Sequence, residues 1–394
     1  MAKSKKEVNE LDQQKDRASK FIKKFQQTNK LASVLTESRL SNISDYISTG
    51  SYALNRVISG SYFKGFPNNR IMALAGPSGV GKSFICMSTA REAQKKGWQV
   101  VYFDSENAID SNFARNLGVD PDIMMHIPIK SISDFRNQAV KFMREWRSDP
   151  DTKDIPVIMF CDSIGGLVGT KELADTESEK SAADMGQRAK ELRACARVLT
   201  MECAEHEIPL IVTNHTYEIQ NMMGAPTIKM SGGEGFVYAT SGIIILQNKV
   251  LKETDGKDSE GRTIVKKEAS IVIATSDKNR LVPLGNRGYM YIDFKRGVNP
   301  LYGMLDDALQ HGFIEQKGAW YTIKDDDGNE IKKVQKKNLY TKDIWKAIIK
   351  PLNERVEESY QYSTFTGEDE SLYLLDEEEE SAGEEVEKEL ETVE

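Results

Sequence analysis

The chain has 394 residues, 39% hydrophobic and 29% charged, a length that admits two or three domains or one large core with appendages. No apolar run approaches a membrane span, nothing apolar follows Met1-Ala-Lys-Ser-Lys-Lys-Glu to make a signal peptide, and Cys86, Cys161, Cys195 and Cys203 lack C-x-x-C spacing. A membrane protein, a secreted disulfide scaffold and a zinc site are therefore disfavoured, and a cytoplasmic location is expected. The net charge of −8 is uneven: residues 368–394 hold fourteen acidic side chains against Lys388, which leaves +5 on the rest of the chain. A basic body with an acidic tail suits a tail that competes with nucleic acid for a cationic surface, or one that only keeps the protein soluble.

Residues 1–46 are rich in Lys, Gln and Ser, with Phe21, Ile22, Phe25, Leu31, Val34 and Leu35 at broken helical spacing. Such a helical segment either folds back on its own domain or docks on a neighbouring subunit. From Ile47 onward, strands alternate with helices. The runs 70–75, 100–104, 157–162 and 210–214 are continuously apolar and are separated by helical stretches at 84–96, 133–147 and 181–205, as expected for parallel strands buried on both faces. Runs at 242–247, 269–275 and 289–294 follow without room for crossover helices, which predicts an antiparallel continuation. A short helical piece at 301–310 opens a small mixed region reaching to about residue 358, and the chain beyond Gly367 is expected to be disordered. The expected class is α/β: a mostly parallel central sheet extended by antiparallel strands. Four regions are expected: a helical segment at 1–46, a core at 47–296, a small α/β region at 297–358 and an acidic tail at 359–394.

Gly76-Pro77-Ser78-Gly79-Val80-Gly81-Lys82-Ser83 lies between the first apolar run and the helix opened by Phe84. This is the strand–loop–helix setting that a G-x-x-x-x-G-K-[ST] phosphate loop requires. The glycines let successive amides turn inward on the β- and γ-phosphates, and the helix N-terminus adds partial positive charge. Lys82 would bridge those phosphates and the Ser83 hydroxyl would reach Mg²⁺, so the sequence predicts a nucleoside triphosphate site.

Open α/β sheets bind ligands at the carboxyl ends of their strands. One run ends in Asp162-Ser163, a carboxylate placed to serve the nucleotide's Mg²⁺. Another ends in Asp104-Ser105-Glu106, where Glu106 is the carboxylate suited to deprotonate an attacking water, its bland alternative being a helix-start residue. A third ends in Asn214-His215, polar groups suited to sensing the γ-phosphate.

Two stretches read as functional loops: 217–236, with Met222, Met223, Lys229 and Met230 closing on Ser231-Gly-Gly-Glu-Gly235, and 165–184, with Lys171 and Lys180. Lys190 and Arg197 stand seven residues apart on one helical face. Two cations there are ordinarily a solvated surface; beside two loops of a nucleotide-linked domain they form a path for a phosphate backbone.

With these residues in place, the chain from about 47 to 358 resembles the RecA-type strand-exchange recombinases, most closely the UvsX-type recombinases of tailed bacteriophages. The resemblance rests on Ile47-Ser-Thr-Gly-Ser-Tyr-Ala-Leu, the phosphate loop, Asp104-Ser-Glu-Asn-Ala-Ile-Asp110, Asp162-Ser163, Thr213-Asn-His215 and Gly318-Ala-Trp-Tyr321, which occur in the family's order. It implies a DNA-dependent ATPase using ATP and Mg²⁺ in DNA recombination, repair and replication, with Glu106 as the catalytic glutamate. Asp110 and Phe113 would hold the adenine; read alone they are a helix cap and a core aromatic. Lys278 and Arg280, otherwise ordinary charges at a strand end, would reach a neighbour's γ-phosphate. The two loops would line a filament axis and hold single-stranded DNA through Met185, Lys190, Arg197, Lys229, Ser231, Gly232 and Gly233, the two glycines approaching phosphates, and residues 21–40 would dock on the next subunit. Implied partners are single-stranded and homologous duplex DNA, further copies of the chain, a single-strand binding protein and a recombination mediator, in the host cytoplasm if the chain is phage-encoded. His215 stands where the family has a glutamine, and Glu234 replaces an amide-bearing residue. The rival readings are a ring-shaped motor of the same fold and an ATP-binding accessory protein without turnover.

Overall fold

The computed structural model describes residues 5–29, 32–172, 185–219, 227–232, 234–257 and 263–360. In chain order the helices are α1 (Lys5–Thr28), α2 (Tyr52–Ser59), α3 (Lys82–Lys95), α4 (Ser111–Asn116), α5 (Ile132–Ser148), α6 (Met185–His206), α7 (Glu234–Ala239), α8 (Leu305–Gln310) and α9 (Lys342–Tyr360). The strands are β1 (Tyr46–Ile47), β2 (Phe66–Pro67), β3 (Ile71–Ala75), β4 (Gln99–Asp104), β5 (Met124–Pro128), β6 (Val157–Asp162), β7 (Leu210–Asn214), β8 (Thr216–Ile219), β9 (Thr227–Met230), β10 (Gly242–Lys257), β11 (Thr263–Asn279), β12 (Arg287–Asp293), β13 (Gly297–Val298), β14 (Ile314–Lys317), β15 (Trp320–Lys324) and β16 (Glu330–Gln335).

Among the described residues the main sheet runs β13-β12-β11-β10-β3-β7-β6-β4-β5. β10, β3, β7, β6, β4 and β5 pair in parallel, whereas β10–β11, β11–β12 and β12–β13 pair antiparallel. This is the expected parallel centre with an antiparallel extension. Every residue of β3, β6 and β7 is buried because both faces of the sheet are covered. Strand side chains alternate between the covers. Met72, Leu74, Val100, Tyr102, Ile158 and Phe160 join the core beneath α2 and α3, while Ile71, Ala73, Val101, Phe103, Met159 and Cys161 join the core beneath α5 and α6.

Three features depart from the expected pattern. β5 is an additional parallel edge strand, paired with β4 from Val100↔Met124 to Asp104↔Pro128. β10 and β11 run well past the apolar stretches as one long hairpin. The stretch expected as a loop at 217–236 carries a hairpin of β8 and β9, from Thr216↔Met230 to Ile219↔Thr227, followed by α7. Met222, Met223, Lys180, Gly233 and the tail at 361–394 lie outside the described residues. All four cysteines are free and buried, and burial raises each thiol above its ordinary pKa, Cys195 to about 12. No described helix is long and apolar enough to cross a membrane.

The elements belong to one compact unit that ends at Tyr360. α1 leaves Phe21 and Phe25 exposed, their rings stacked with centroids 6.2 Å apart. α8, β14–β16 and α9 close a third core around Trp345 and Ile348, and Tyr62 enters it from just after α2. A buried polar knot fixes this junction. Arg56 Nε lies 3.0 Å from Asp307 Oδ2, the Tyr62 hydroxyl donates to the same oxygen at 2.6 Å, and Arg56 also donates to the Tyr360 hydroxyl and, at 2.7 Å, to the Arg287 carbonyl. Burial first and then Asp307 push the Tyr62 hydroxyl far above its ordinary pKa, so it stays a donor.

Both partners of the Arg56–Asp307 pair are nearly enclosed, so removing one leaves a charge unpaired out of water. Asp307→Ala is expected to lower stability by about 3 kcal/mol in urea unfolding. A loss too small to resolve would contradict a buried, obligatory pair.

Candidate nucleotide cleft and nucleic-acid face

The phosphate loop occupies residues 76–81, between β3 and α3. Gly79 and Gly81 hold φ values of 72° and 108°, a region that L side chains avoid. A Cβ at Gly76 would stand 2.6 Å from the Leu246 carbonyl oxygen, so the loop needs glycine there to lie against β10. α3 begins without a side-chain cap, because its N-cap is Gly81, and so its first amides remain open toward the cleft. Pro77, Ser78 and Gly79 form an exposed lip and Val80 is buried beneath it. The Lys82 ammonium donates to the carbonyls of Gly76 at 2.9 Å and Pro77 at 3.0 Å. Burial lowers its pKa, while Asp162 and Glu106 pull the other way.

Asp162, at the end of β6, is 2% exposed. Its Oδ2 accepts from the hydroxyls of Ser83 at 2.8 Å and Tyr102 at 2.7 Å, and its Oδ1 accepts from the Thr213 hydroxyl. Glu106 is exposed at the cleft mouth beyond β4. It accepts from the Ser163 hydroxyl, and His215 Nε2 lies 3.5 Å from its Oε1. Buried Asp104 holds the turn before it: Oδ1 accepts from the amides of Glu106 at 3.0 Å and Ala108 at 3.3 Å, and Oδ2 lies 3.2 Å from His126 Nε2.

Residues 78–84, Glu106, Asp162 and His215 line a cavity of about 220 Å³, from which Asp110 is absent. Its apolar side carries Phe84, Phe113, Ile292 and Phe294. The Phe84 ring meets Phe113 edge to face at 5.3 Å and lies 6.2 Å from Phe294. Asp110 is the N-cap of α4, its Oδ1 accepting from the Phe113 amide at 2.8 Å, so the cap reading weighed from sequence describes its present contact. Lys278 and Arg280 are absent from the cavity lining. Lys278 Nζ donates to the carbonyls of Val237 at 2.7 Å and Tyr238 at 2.9 Å, and Arg280 reaches Tyr238 at 3.2 Å, so both cations cap the C-terminal end of α7.

Lys190 and Arg197 are exposed on α6, as is Lys229 on β9. Met185 opens α6, its side chain outside the described residues. Gly232 holds a φ of 96°. Ser231 is tied to the cleft: its amide and hydroxyl donate to the His215 carbonyl, both at 2.9 Å, and Asn214 Nδ2 donates to the Ser231 carbonyl at 2.6 Å.

A sequence profile of the RecA N-terminal domain matches residues 16–282. The chain belongs to the RecA family. It is 30% identical over 359 residues to the "Recombination and repair protein" of Enterobacteria phage T4, covering 88% of this chain and 86% of that protein. It is 31% identical over 284 residues to Protein RecA of Streptomyces venezuelae, 72% of this chain and 68% of that one, and 28% identical over 288 residues to Protein RecA of Paenarthrobacter aurescens, 73% and 75%. It is thus a RecA-type recombinase of recombination and repair.

Within this RecA-family cleft the structure groups Lys82, Ser83, Phe84, Glu106, Phe113, Asp162 and His215 around one cavity. Tyr102, through Asp162, and Phe294, on the cavity wall, also touch this constellation, and His126 reaches it only through Asp104; sequence reasoning selected none of the three. Tyr102 stood in plain sight as the one polar group of an apolar run facing the Asp162 strand; nothing local marked the other two.

Burial, and then the nearby Arg280, lower the Lys278 pKa to about 8. Because the folded value lies below the unfolded value of about 10.4, holding the ammonium charged costs stability below pH 8, and that cost fades as pH rises toward the unfolded value. Arg280→Gln is expected to raise the Lys278 pKa, read from the pH dependence of its side-chain NMR signals in the DNA-free protein. An unchanged or lower value would contradict the repulsion between the two cations.

Proposed function

We propose that this RecA-family protein binds ATP with Mg²⁺ in the cleft beside residues 76–83 and hydrolyses it while assembled as a helical filament on single-stranded DNA, where it pairs homologous duplex and exchanges strands. The observation that carries the reading is the hydrogen bond between Ser83 and Asp162, set beside open α3 amides, with Glu106 on the same rim. A hydroxyl and a carboxylate 2.8 Å apart are the hard oxygen donors suited to a magnesium ion, so the residues fit the group. Ser83 and Asp162 would hold Mg²⁺, which would supply positive charge against the charge developing on the phosphates.

The chain's own residues supply the rest. Lys82 would leave the carbonyls of Gly76 and Pro77 for the β- and γ-phosphates. Phe113 and Phe294 would take the base against the apolar wall, and Asp110, which caps α4 at Phe113, would turn toward it from outside the cavity lining. Glu106, oriented by Ser163, would accept the proton of the attacking water, and His215 beside it would donate to the γ-phosphate. Lys278 and Arg280, which stand outside the cavity, would complete a neighbouring subunit's cleft and make hydrolysis depend on assembly. Lys190, Arg197, Lys229 and the backbone from Ser231 through Gly233, beyond Met185, would hold the DNA phosphates. A single-strand binding protein and a recombination mediator belong to the same proposal, as does a cytoplasmic site of action.

Glu106→Gln is expected to lower turnover by about 100-fold or more while ATP-dependent binding of single-stranded DNA persists. Loss of DNA binding together with turnover would remove Glu106 from the role of base. Mixing Lys278→Ala with Lys82→Ala subunits is expected to restore part of the activity that each lacks, since some clefts would pair an intact loop with an intact cation. No recovery in mixed filaments whose co-assembly is verified by crosslinking would contradict action across the interface.

A further inference from the structure

Arg188 lies near the start of α6 and faces the protein, whereas Lys190, two residues and about 200° further round the helix, faces solvent. The Arg188 guanidinium holds three backbone carbonyls. Its Nε donates to Leu167 at 3.0 Å, and its Nη2 reaches Gly165 at 3.0 Å and Ile164 at 3.4 Å. One turn along the same face, Glu191 Oε2 accepts from the Thr170 amide at 2.9 Å and hydroxyl at 3.2 Å. Residues 164–170 are therefore clipped to α6 at both ends.

That clipped segment lies directly on the hydrolytic side of the cleft. A Cβ at Gly166 would stand 2.8 Å from the Ser105 hydroxyl oxygen and 3.6 Å from Glu106 Cγ. One at Gly165 would stand 2.8 Å from Asn214 Oδ1 and 3.2 Å from His215 Cδ2. Ser105 in turn donates to the Ser163 carbonyl at 2.7 Å, and Ser163 donates to Glu106. The turn thus touches the expected base, the histidine beside it and the asparagine that ties Ser231 to the cleft.

We propose that Arg188 is a positioning residue that couples DNA on the outer face of α6 to the setting of Glu106, a reading that rests on the function proposed above. The physical basis is the fork geometry of the guanidinium. A planar group bonded to three carbonyls of one turn transmits a rotation or slide of α6 to that turn, where a single ammonium on a flexible stem would not. Phosphates gathered by Lys190 and Arg197 pull on the solvent side of the helix, and Arg188 carries the displacement through to the turn packed on Ser105 and Glu106.

The test uses the full chain with ATP, Mg²⁺ and poly(dT), comparing wild type, Arg188→Met, Arg188→Lys and Gly166→Ala. Arg188→Met is expected to keep the basal kcat, the KM for ATP and the affinity for poly(dT), and to lose about three- to tenfold of the stimulation of kcat at saturating poly(dT). Arg188→Lys keeps the charge without the fork and should remain defective. Gly166→Ala, which leaves Arg188 intact but presses the turn on Ser105, should also depress stimulation, and it carries the test if Arg188→Met does not fold. Full stimulation of both Arg188 variants at saturating poly(dT) would overturn the coupling, as would a defect that Arg188→Lys repairs, which would make Arg188 a phosphate contact. If wild type itself shows no response to poly(dT), the functional reading fails first; a wild-type response matched by the variants defeats the coupling alone.

Discussion

The carboxylate of Asp162 is the interaction on which the rest of this site depends. It is almost entirely removed from water, a placement that would be prohibitive without compensation. Its compensation comes from three hydroxyls on three different elements: Ser83 on α3, Tyr102 on β4 and Thr213 on β7. Satisfying one buried charge therefore fixes the phosphate loop's helix against the carboxyl ends of three neighbouring parallel strands. Burial first, then Cys86 and Asp162, raise the Tyr102 hydroxyl above its ordinary pKa, so it donates at every pH at which an ordinary tyrosine does.

A second buried carboxylate extends the same logic outward. Asp104 pairs in register with Asp162 across β4 and β6, and it spends its lone pairs on the turn that presents Glu106. One acid is enclosed to hold the loop; the other is enclosed to aim an exposed acid at the cleft. From there the contacts run through Ser163, His215 and Asn214 to Ser231, joining the rim of the cleft to the turn after β9. On the function proposed above, such a path along the rim of the cleft would let DNA and nucleotide report on each other.

Much of this was legible in the chain. The phosphate loop is local, with glycines demanded by positive φ at 79 and 81, and its flanking strand and helix follow from period and apolar content. The parallel strands were visible because strands buried on both faces are unbroken apolar runs. β5 escaped notice for the opposite reason: as an edge strand it leaves Met125, His126 and Pro128 exposed. The β8–β9 hairpin was hidden by its polar composition, since it pairs outside the main sheet and buries only Met230 fully. Phe294, His126 and Arg188 share a different obstacle. Their neighbours lie some twenty to two hundred residues away, or on the far side of a helix whose polar residues all look alike in sequence. Lys278 and Arg280 illustrate the limit from the other side. Their placement on the α7 carbonyls, outside the cavity, is set by a long hairpin whose register composition alone does not reveal.

On the function proposed above, this cleft turns over ATP faster when the chain is assembled on DNA than when it is free of it. Steady-state ATP hydrolysis with and without single-stranded DNA, with light scattering read on the same samples, tests it most directly. DNA is expected to raise turnover, and scattering to rise together with it when ATP is present. Turnover indifferent to DNA, or a small closed species that scatters no more with ATP and DNA than without, would contradict it.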